Sequence, residues 1–334
     1  MNFNTNVMEI KKGADFRLLG RPYYVNDVPG FTWSNSGIEF MAKCDRLTVF
    51  FGEYDVAAPV LFKIYVDSLE VKTSVVGKGV TAVIENLRDK MHKIKILRIS
   101  EGSVCAFVEK VQIYGKDPVF AMPEEKNRLK LEFIGDSITA GFGVLADSAR
   151  LEYTTYEQDS TKTYAYLTAQ ALDADIRTIC ISGEGICHSC GDNVGTTFIN
   201  FFNRTSRSSE GYTPDGYIPD VVIANGGTND KRVHVKSEEF IDGVIELLKD
   251  IRSKYPEAQI IWVYGMMVHV FDEELKTAID KFNATDKNTH CLIVKSVNDY
   301  KNQSGTYGHP NVNASVRVAG MLKRKILEVL QPGK

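Results

Sequence analysis

Four short stretches of this chain hold residue types suited to moving an acyl group. The first is Gly135-Asp136-Ser137, which follows the apolar run Leu131-Glu132-Phe133-Ile134. It reads as a strand, a tight turn and a helix start, so the Ser137 hydroxyl stands beside a helix N-terminus. Backbone N–H groups there lack intrahelical partners, and negative charge developing near the hydroxyl would meet ready donors. An ordinary serine N-cap explains this stretch equally well. Ile181-Ser182-Gly183-Glu184-Gly185 and Gly226-Gly227-Thr228-Asn229-Asp230 each follow a further apolar run, and Gly308-His309-Pro310-Asn311 precedes the last helical pattern. Each is weak alone, since glycine turns after strands are common and a single loop histidine is usually solvated. Their order and shared location carry more weight.

The elements that must position these residues fall into two regions. Up to residue 116 the chain reads as all-β: 46–51, 60–66, 92–99 and 105–114 are short, rich in β-formers and often alternating, with turn residues such as Asp67-Ser68 and Glu101-Gly102 between them. A β-sandwich domain over 1–116 is expected. Residues 117–128 are polar, contain two prolines and read as a linker. From 129 to 334 strands and helices alternate. Strands are expected at 129–134, 175–181, 220–225, 259–264 and 291–294. Helices are expected at 163–172, from a Ser237 cap to Tyr255, at 272–283, and over the last stretch carrying Val316, Met321, Leu322, Ile326, Leu327 and Leu330. Such alternation implies a parallel sheet covered on both faces, with chemistry beyond the carboxyl ends of its strands. Two long connections, 142–161 and 187–219, leave that rim and carry Tyr153, Tyr156, Phe198, Phe201, Phe202 and Tyr212. They read either as substrate-lining walls or as loops packed on themselves.

Composition excludes several classes. The 334 residues are 43% hydrophobic and 25% charged, with a net charge of -3, so nothing electrostatic favours nucleic acid or an anionic membrane. No apolar run reaches the roughly 18 residues of a membrane-spanning helix. The start, Met1-Asn2-Phe3-Asn4-Thr5-Asn6-Val7, has neither the basic nor the apolar part of a signal peptide. A cytoplasmic location is expected, although a secreted chain relieved of its leader would read the same. Six cysteines are too few for a disulfide scaffold. Cys187-His188-Ser189-Cys190 has no second pair at zinc-ribbon spacing and no thioredoxin context, so these read as ordinary thiols.

Taken in order, the four stretches resemble the SGNH (GDSL-type) hydrolase superfamily, whose blocks supply Ser, Gly, Asn and His. With the β-rich N-terminal region and Pro219-Asp220-Val221-Val222 before Gly-Gly-Thr-Asn-Asp, the chain is most similar to carbohydrate esterase family 2. The resemblance implies a jelly-roll sandwich joined to a flavodoxin-like, doubly wound α/β domain. It also implies a serine esterase that removes O-acetyl groups from plant-type polysaccharides such as acetylated mannan or xylan, with no cofactor or metal. Ser137 would then be the nucleophile and His309 its base. The Ser137 N–H, the Gly183 N–H and the Asn229 amide would receive the oxyanion, each donor worth ~3 kcal/mol. Glycine at 183 lets backbone approach the substrate, and an amide is required at 229 because a carboxylate would repel the oxyanion. Asp136 and Asp230 read as turn-tying side chains.

One departure stands out. The superfamily places an Asp three residues before its His, and Thr306 stands there in this chain. A Ser-His dyad is therefore expected, with a main-chain carbonyl near Thr306, or a distant carboxylate such as Asp299, orienting the imidazole. Tyr156, Phe201, His269 and Tyr307 are candidates for contact with an acetylated oligosaccharide. His92 is expected to be exposed on its strand, Trp262 to be sheet core, and Trp33 to be core rather than a sugar platform. Two other readings remain: an SGNH lipase or thioesterase, and a carbohydrate-binding protein whose hydrolase domain is secondary.

Overall fold

Alternation of side chains along 37–51 and 90–114 lets one face of each run be apolar, and these runs pair as antiparallel strands. In the computed structural model, residues 4–52, 59–76, 80–101, 104–124, 127–147, 150–190 and 196–331 are described. Gly102 of an expected turn, Glu125 and Lys126 of the expected linker, and parts of the two long connections lie outside them. The chain divides into two units, Met1–Asn127 with Thr205–Glu210, and Arg128–Arg204 with Gly211–Lys334.

The first unit holds β1 (Asn4–Glu9), β2 (Arg17–Leu19), β3 (Tyr23–Val25), β4 (Val28–Phe31), β5 (Gly37–Cys44) and β6 (Arg46–Phe51). They are followed by β7 (Val60–Val66), β8 (Leu69–Val76), β9 (Thr81–Ile84), β10 (Lys90–Arg98), β11 (Ala106–Gly115) and β12 (Val119–Ala121). One sheet runs β3-β4-β11-β6-β9 with β1 also on β11; the other runs β12-β5-β10-β7-β8 with β2 also on β5. Val49, Phe51, Val108 and Val111 of the first sheet share one core with Phe40, Phe62, Ile64 and Ile94 of the second. The Phe51 and Phe62 rings meet across it at 5.2 Å between centroids. Burying each such side chain is worth roughly 1.5–3 kcal/mol, which is what holds two sheets face to face as a sandwich.

Three expectations about this region need correcting. Val119–Ala121, inside the expected linker, is strand β12 and pairs with Met41–Lys43. Two prolines nearby do not prevent this, because an edge strand needs its N–H groups on one side only. Thr205–Glu210, from the connection at 187–219, belongs to the first unit: the fully buried Trp33 donates its indole N–H to the Thr205 carbonyl at 2.9 Å. Trp33 is thus core, as expected. His92 is not exposed but 3% accessible; its Nδ1 meets Asp67 at 2.9 Å and its Nε2 meets the Arg88 carbonyl at 2.7 Å. Both ring nitrogens are satisfied, which is the condition for burying an imidazole.

The second unit is a five-stranded parallel sheet of β13 (Lys130–Gly135), β14 (Asp175–Cys180), β15 (Val221–Asn225), β16 (Gln259–Tyr264) and β17 (Thr289–Ile293). Its spatial order, β14-β13-β15-β16-β17, is the flavodoxin-like 2-1-3-4-5 winding, whose direction reverses between β13 and β15. Its helices are α1 (Ser137–Ala140), α2 (Tyr164–Ala171), α3 (Phe198–Phe202), α4 (Thr228–Arg232), α5 (Ser237–Lys254), α6 (Asp272–Phe282) and α7 (Val312–Leu330). Phe133, Val221, Ile223 and Ile261 pack with Tyr164 of α2 and Val318 and Leu322 of α7. Their sequence neighbours Val222, Ala224, Ile260 and Trp262 point to the opposite face and are equally buried. Burial on both faces is why β15 and β16 read as nearly continuous apolar runs.

Ser237 does not cap α5. It is the first helical residue behind Lys236, and its hydroxyl donates to Glu274 of α6 at 2.6 Å. Glu238 and Glu239 in the first turn still meet the positive end of the helix dipole favourably. Among the described residues no helix is long and apolar enough to cross a membrane, and no three His, Cys, Asp or Glu side chains group as a metal site.

Candidate active site

Ser137 sits where β13 ends at the sheet's carboxyl edge. Asp136 is the N-cap of α1: its Oδ1 accepts from the Ile138 N–H at 2.9 Å, and its carbonyl accepts from Thr139 and Ala140 at 3.1 and 3.0 Å. The Ser137 N–H is the first-turn donor that none of these bonds uses. Asp136 is therefore a capping residue, and Ser137 lies just inside the helix instead of at its cap. Its hydroxyl meets His309 Nε2 at 2.8 Å.

Gly183 follows β14 with φ of +85°, a left-handed conformation that L side chains avoid. A Cβ there would meet nothing nearer than the Cys190 carbonyl oxygen at 3.7 Å. Glycine is thus required by backbone conformation and not by crowding. The turn is closed by the Cys190 N–H donating to the Gly183 carbonyl at 2.6 Å. Asn229 follows β15 on α4 and is 6% exposed. Its Nδ2 donates to the Glu184 carbonyl at 2.8 Å and, more weakly, to Asp136 Oδ2 at 3.4 Å. The first bond aims the amide; the second is long enough that its hydrogen can turn to a better acceptor. Asp230 ties the same region together, accepting from the Ile186 and Cys187 N–H groups at 2.9 and 2.8 Å. Burial raises its carboxyl above the usual range against the pull of these N–H groups.

His309 precedes the Asn311 cap of α7, whose Oδ1 accepts from the Asn313 and Ala314 N–H groups. Tyr307 (φ +55°) and Gly308 (φ +75°) are both left-handed and turn the chain back on itself. As a result the Thr306 carbonyl accepts from the His309 N–H at 3.1 Å and from its Nδ1–H at 3.0 Å. That second bond leaves Nε2 as the acceptor facing Ser137. Asp299 takes no part, its carboxylate closing a capping box on the Ser296 N–H at 3.0 Å. Burial pulls the imidazole down to about 4; the Thr306 carbonyl opposes this and the Arg232 charge adds to it.

The other candidates are dispersed. Phe201 is fully buried against Phe198, with ring centroids 4.9 Å apart, and has no surface to offer a substrate. Its apolar helix α3 packs inward, which a loop assignment could not reveal. His269 turns to Asp272, 2.9 Å away on α6. Tyr156 is 59% exposed, and Tyr307 is 50% exposed. Tyr307 stands in a ring cluster with Phe142, whose centroid is 6.2 Å from it, 4.8 Å from His309 and 3.9 Å from Tyr153 in a flat stack. Tyr153 is one of the aromatic residues of the connection 142–161 noted above, whereas Phe142 is not singled out by its sequence context. The signal for Phe142 is its position, at the start of the long connection that follows α1. The Cys187 thiol is pushed up to about 12 by burial and nearby carboxylates, so it is a poor nucleophile and metal ligand.

A serine–imidazole pair at the carboxyl edge of a 2-1-3-4-5 parallel sheet, with a glycine and an asparagine on the next turns, is the arrangement of the SGNH class. Residues 133–290 match the GDSL-like Lipase/Acylhydrolase family. The match includes Ser137, Gly183 and Asn229 and stops before His309. The chain is 28% identical over 188 residues to the cellulase/esterase CelE of Acetivibrio thermocellus, covering 56% of this chain and 23% of that protein. It is 24% identical over 262 residues to an acetylxylan esterase / glucomannan deacetylase of Cellvibrio japonicus, covering 72% of this chain and 70% of the relative. The fold is that of a family two carbohydrate esterase from Clostridium thermocellum solved in complex with cellohexaose, with a TM-score of 0.83, 23% identity, and coverage of 94% of this chain and 99% of that one. The chain spans less than a quarter of the length of CelE.

Proposed function

We propose that this protein is a serine esterase that removes O-acetyl groups from plant-type oligo- or polysaccharides. The observation that carries the reading is the 2.8 Å contact between Ser137 Oγ and His309 Nε2, with Nδ1 held by a backbone carbonyl. Ser137 Oγ attacks the acetyl carbonyl as its proton passes to His309 Nε2. The carbonyl oxygen takes the negative charge among the Ser137 N–H, the Gly183 N–H and the Asn229 amide. The ester C–O bond then breaks, and the sugar oxygen leaves with the proton from Nε2. Water repeats the attack on the acetyl-enzyme, releasing acetate and restoring Ser137. Acetylated xylan and mannan are favoured as substrates by the similarity to the acetylxylan esterase / glucomannan deacetylase of Cellvibrio japonicus.

The test is acetate release from acetylated xylan and mannan oligosaccharides, with Ser137→Ala as control; no release above that control rejects the reading. Acyl length separates it from a lipase or thioesterase. Nitrophenyl butyrate and longer esters are expected to turn over on the order of 10-fold or more slowly than the acetate, since a small pocket discriminates each added methylene. Equal or faster hydrolysis of long esters would assign the site to lipid or thioester substrates.

The base must be unprotonated to accept the serine proton, and its pKa is depressed to about 4. Because protonation is what removes the base, kcat/KM is expected to stay level from neutral pH downward and to fall only as pH drops through about 4. A free imidazole would produce that fall near 6.5. An acid limb at the ordinary histidine value would show that burial does not control His309.

A further inference from the structure

Among the buried carboxylates that the chemistry above does not use, one lies against the histidine loop. Glu157 is 7% exposed and lies in the short turn Thr155–Glu157 of the connection after α1. Its Oε2 accepts a hydrogen bond from Thr306 Oγ1 at 2.9 Å, and Arg150 pairs with its other oxygen. Thr306, fully buried, is the residue whose carbonyl takes the Nδ1–H of His309. An unbroken chain of bonds thus runs from Glu157 through Thr306 and His309 to Ser137.

Backbone contacts make the same connection a close template for the histidine loop. The Tyr307 N–H donates to the Arg150 carbonyl at 2.8 Å, and the Val312 N–H donates to the Val144 carbonyl at 3.1 Å. A Cβ on Gly143 would come within 2.6 Å of Thr306 Cβ, and one on Gly305 within 2.2 Å of the Gly143 carbonyl oxygen. The two backbones touch without intervening side chains, so a shift in one is passed to the other.

We propose that Glu157 is a positioning residue for His309. By holding the Thr306 hydroxyl it fixes the carbonyl that selects the Nδ1–H tautomer. It thereby supplies from a different loop, one residue removed, the orientation that an Asp at position 306 would give directly. Arg150 balances its charge, so the contribution is geometric: a neutral acceptor in the same place serves as well. This inference rests on the acyl-transfer reading.

Glu157→Ala is expected to lower kcat for acetate release by on the order of 10- to 100-fold at nearly constant KM, the scale of a misplaced catalytic group. Glu157→Gln, which keeps an acceptor, should restore most of that loss. Thr306→Val should match Glu157→Ala, Thr306→Ser should restore activity, and the double variant Glu157→Ala with Thr306→Val should be no worse than either single change. The histidine tautomer reads the same contact without turnover. In 15N-labelled protein, with His309→Gln assigning the signal, Nδ1 should carry the proton in the native chain, and both tautomers should appear in Glu157→Ala. If Glu157→Ala does not fold, Thr306→Val removes the same bond from the other end. An unchanged tautomer in the folded variant, or kcat losses that multiply in the double variant, overturns the proposal. Absence of turnover in the native protein would reject the esterase reading, and the tautomer measurement would still decide this one.

Discussion

Ser137→Ala and His309→Ala are each expected to lower kcat/KM for acetate release by on the order of 10⁴- to 10⁶-fold, and the double variant is expected to lose no more than the worse single one. The reason lies in how one proton is handled. Without His309 the serine must shed its proton to water as it attacks, so removing either partner removes the same step. With no side-chain carboxylate on Nδ1, the pair works through the Thr306 carbonyl at 3.0 Å. That acceptor fixes the tautomer but carries no charge with which to hold an imidazolium. Burial holds the imidazole down at about 4 against the pull of that carbonyl, so in the proposed reaction His309 gives up its proton readily, which favours returning it to the leaving sugar oxygen. Losses that multiply in the double variant, or Ser137→Ala retaining more than about a tenth of native activity, would remove Ser137 from the reaction. A thermal midpoint measured beside each variant separates lost chemistry from lost folding.

Asn229→Ala carries the second large effect, a fall in kcat on the order of 10²- to 10³-fold, equal to ~3–4 kcal/mol of transition-state stabilisation. The amide is already aimed by its 2.8 Å bond to the Glu184 carbonyl, while its contact with Asp136 Oδ2, at 3.4 Å, is weak. In the proposed reaction the carbonyl oxygen becomes negative and outcompetes that carboxylate for the loosely held hydrogen. The gain belongs to the transition state, so KM should change little. Asn229→Asp should be worse than Asn229→Ala, because a second carboxylate beside Asp136 would repel both its neighbour and the oxyanion. Kinetics of both variants on an acetyl ester decide the matter. An Asn229→Asp enzyme as active as Asn229→Ala, or an effect confined to KM, would show that residue 229 only ties the turn to Glu184.

Much of this molecule is legible before any coordinates. The strands at 130–135, 221–225 and 259–264 lie within about one residue of the positions read from apolar runs, because both faces of that sheet are buried and the apolar signal is dense, broken in β13 only by Glu132. The sandwich was harder to read. The short strands β1 to β4 and the edge strand β12 are partly exposed and carry glycine, proline and polar residues, so local pattern alone does not distinguish them from loops. Alternation predicts an exposed His92, since sequence shows the period of a strand but not the Asp67 carboxylate that meets its ring in the fold.

The sequence by itself determined the order Ser137, Gly183, Asn229, His309 and the winding that sends the first three to one edge. Each lies a few residues beyond a strand, and parallel strands deliver such turns to the same side of a sheet. It also showed that no Asp stands at position 306. What takes the place of that Asp was decided only by tertiary structure. Thr306 reaches His309 through its backbone and Glu157 through its side chain, across a separation of 149 residues. A backbone carbonyl belongs to every residue alike, and a distant carboxylate looks like any other until the chain folds. Only the left-handed turn at Tyr307 and Gly308 and the direct backbone packing of two loops make these groups specific.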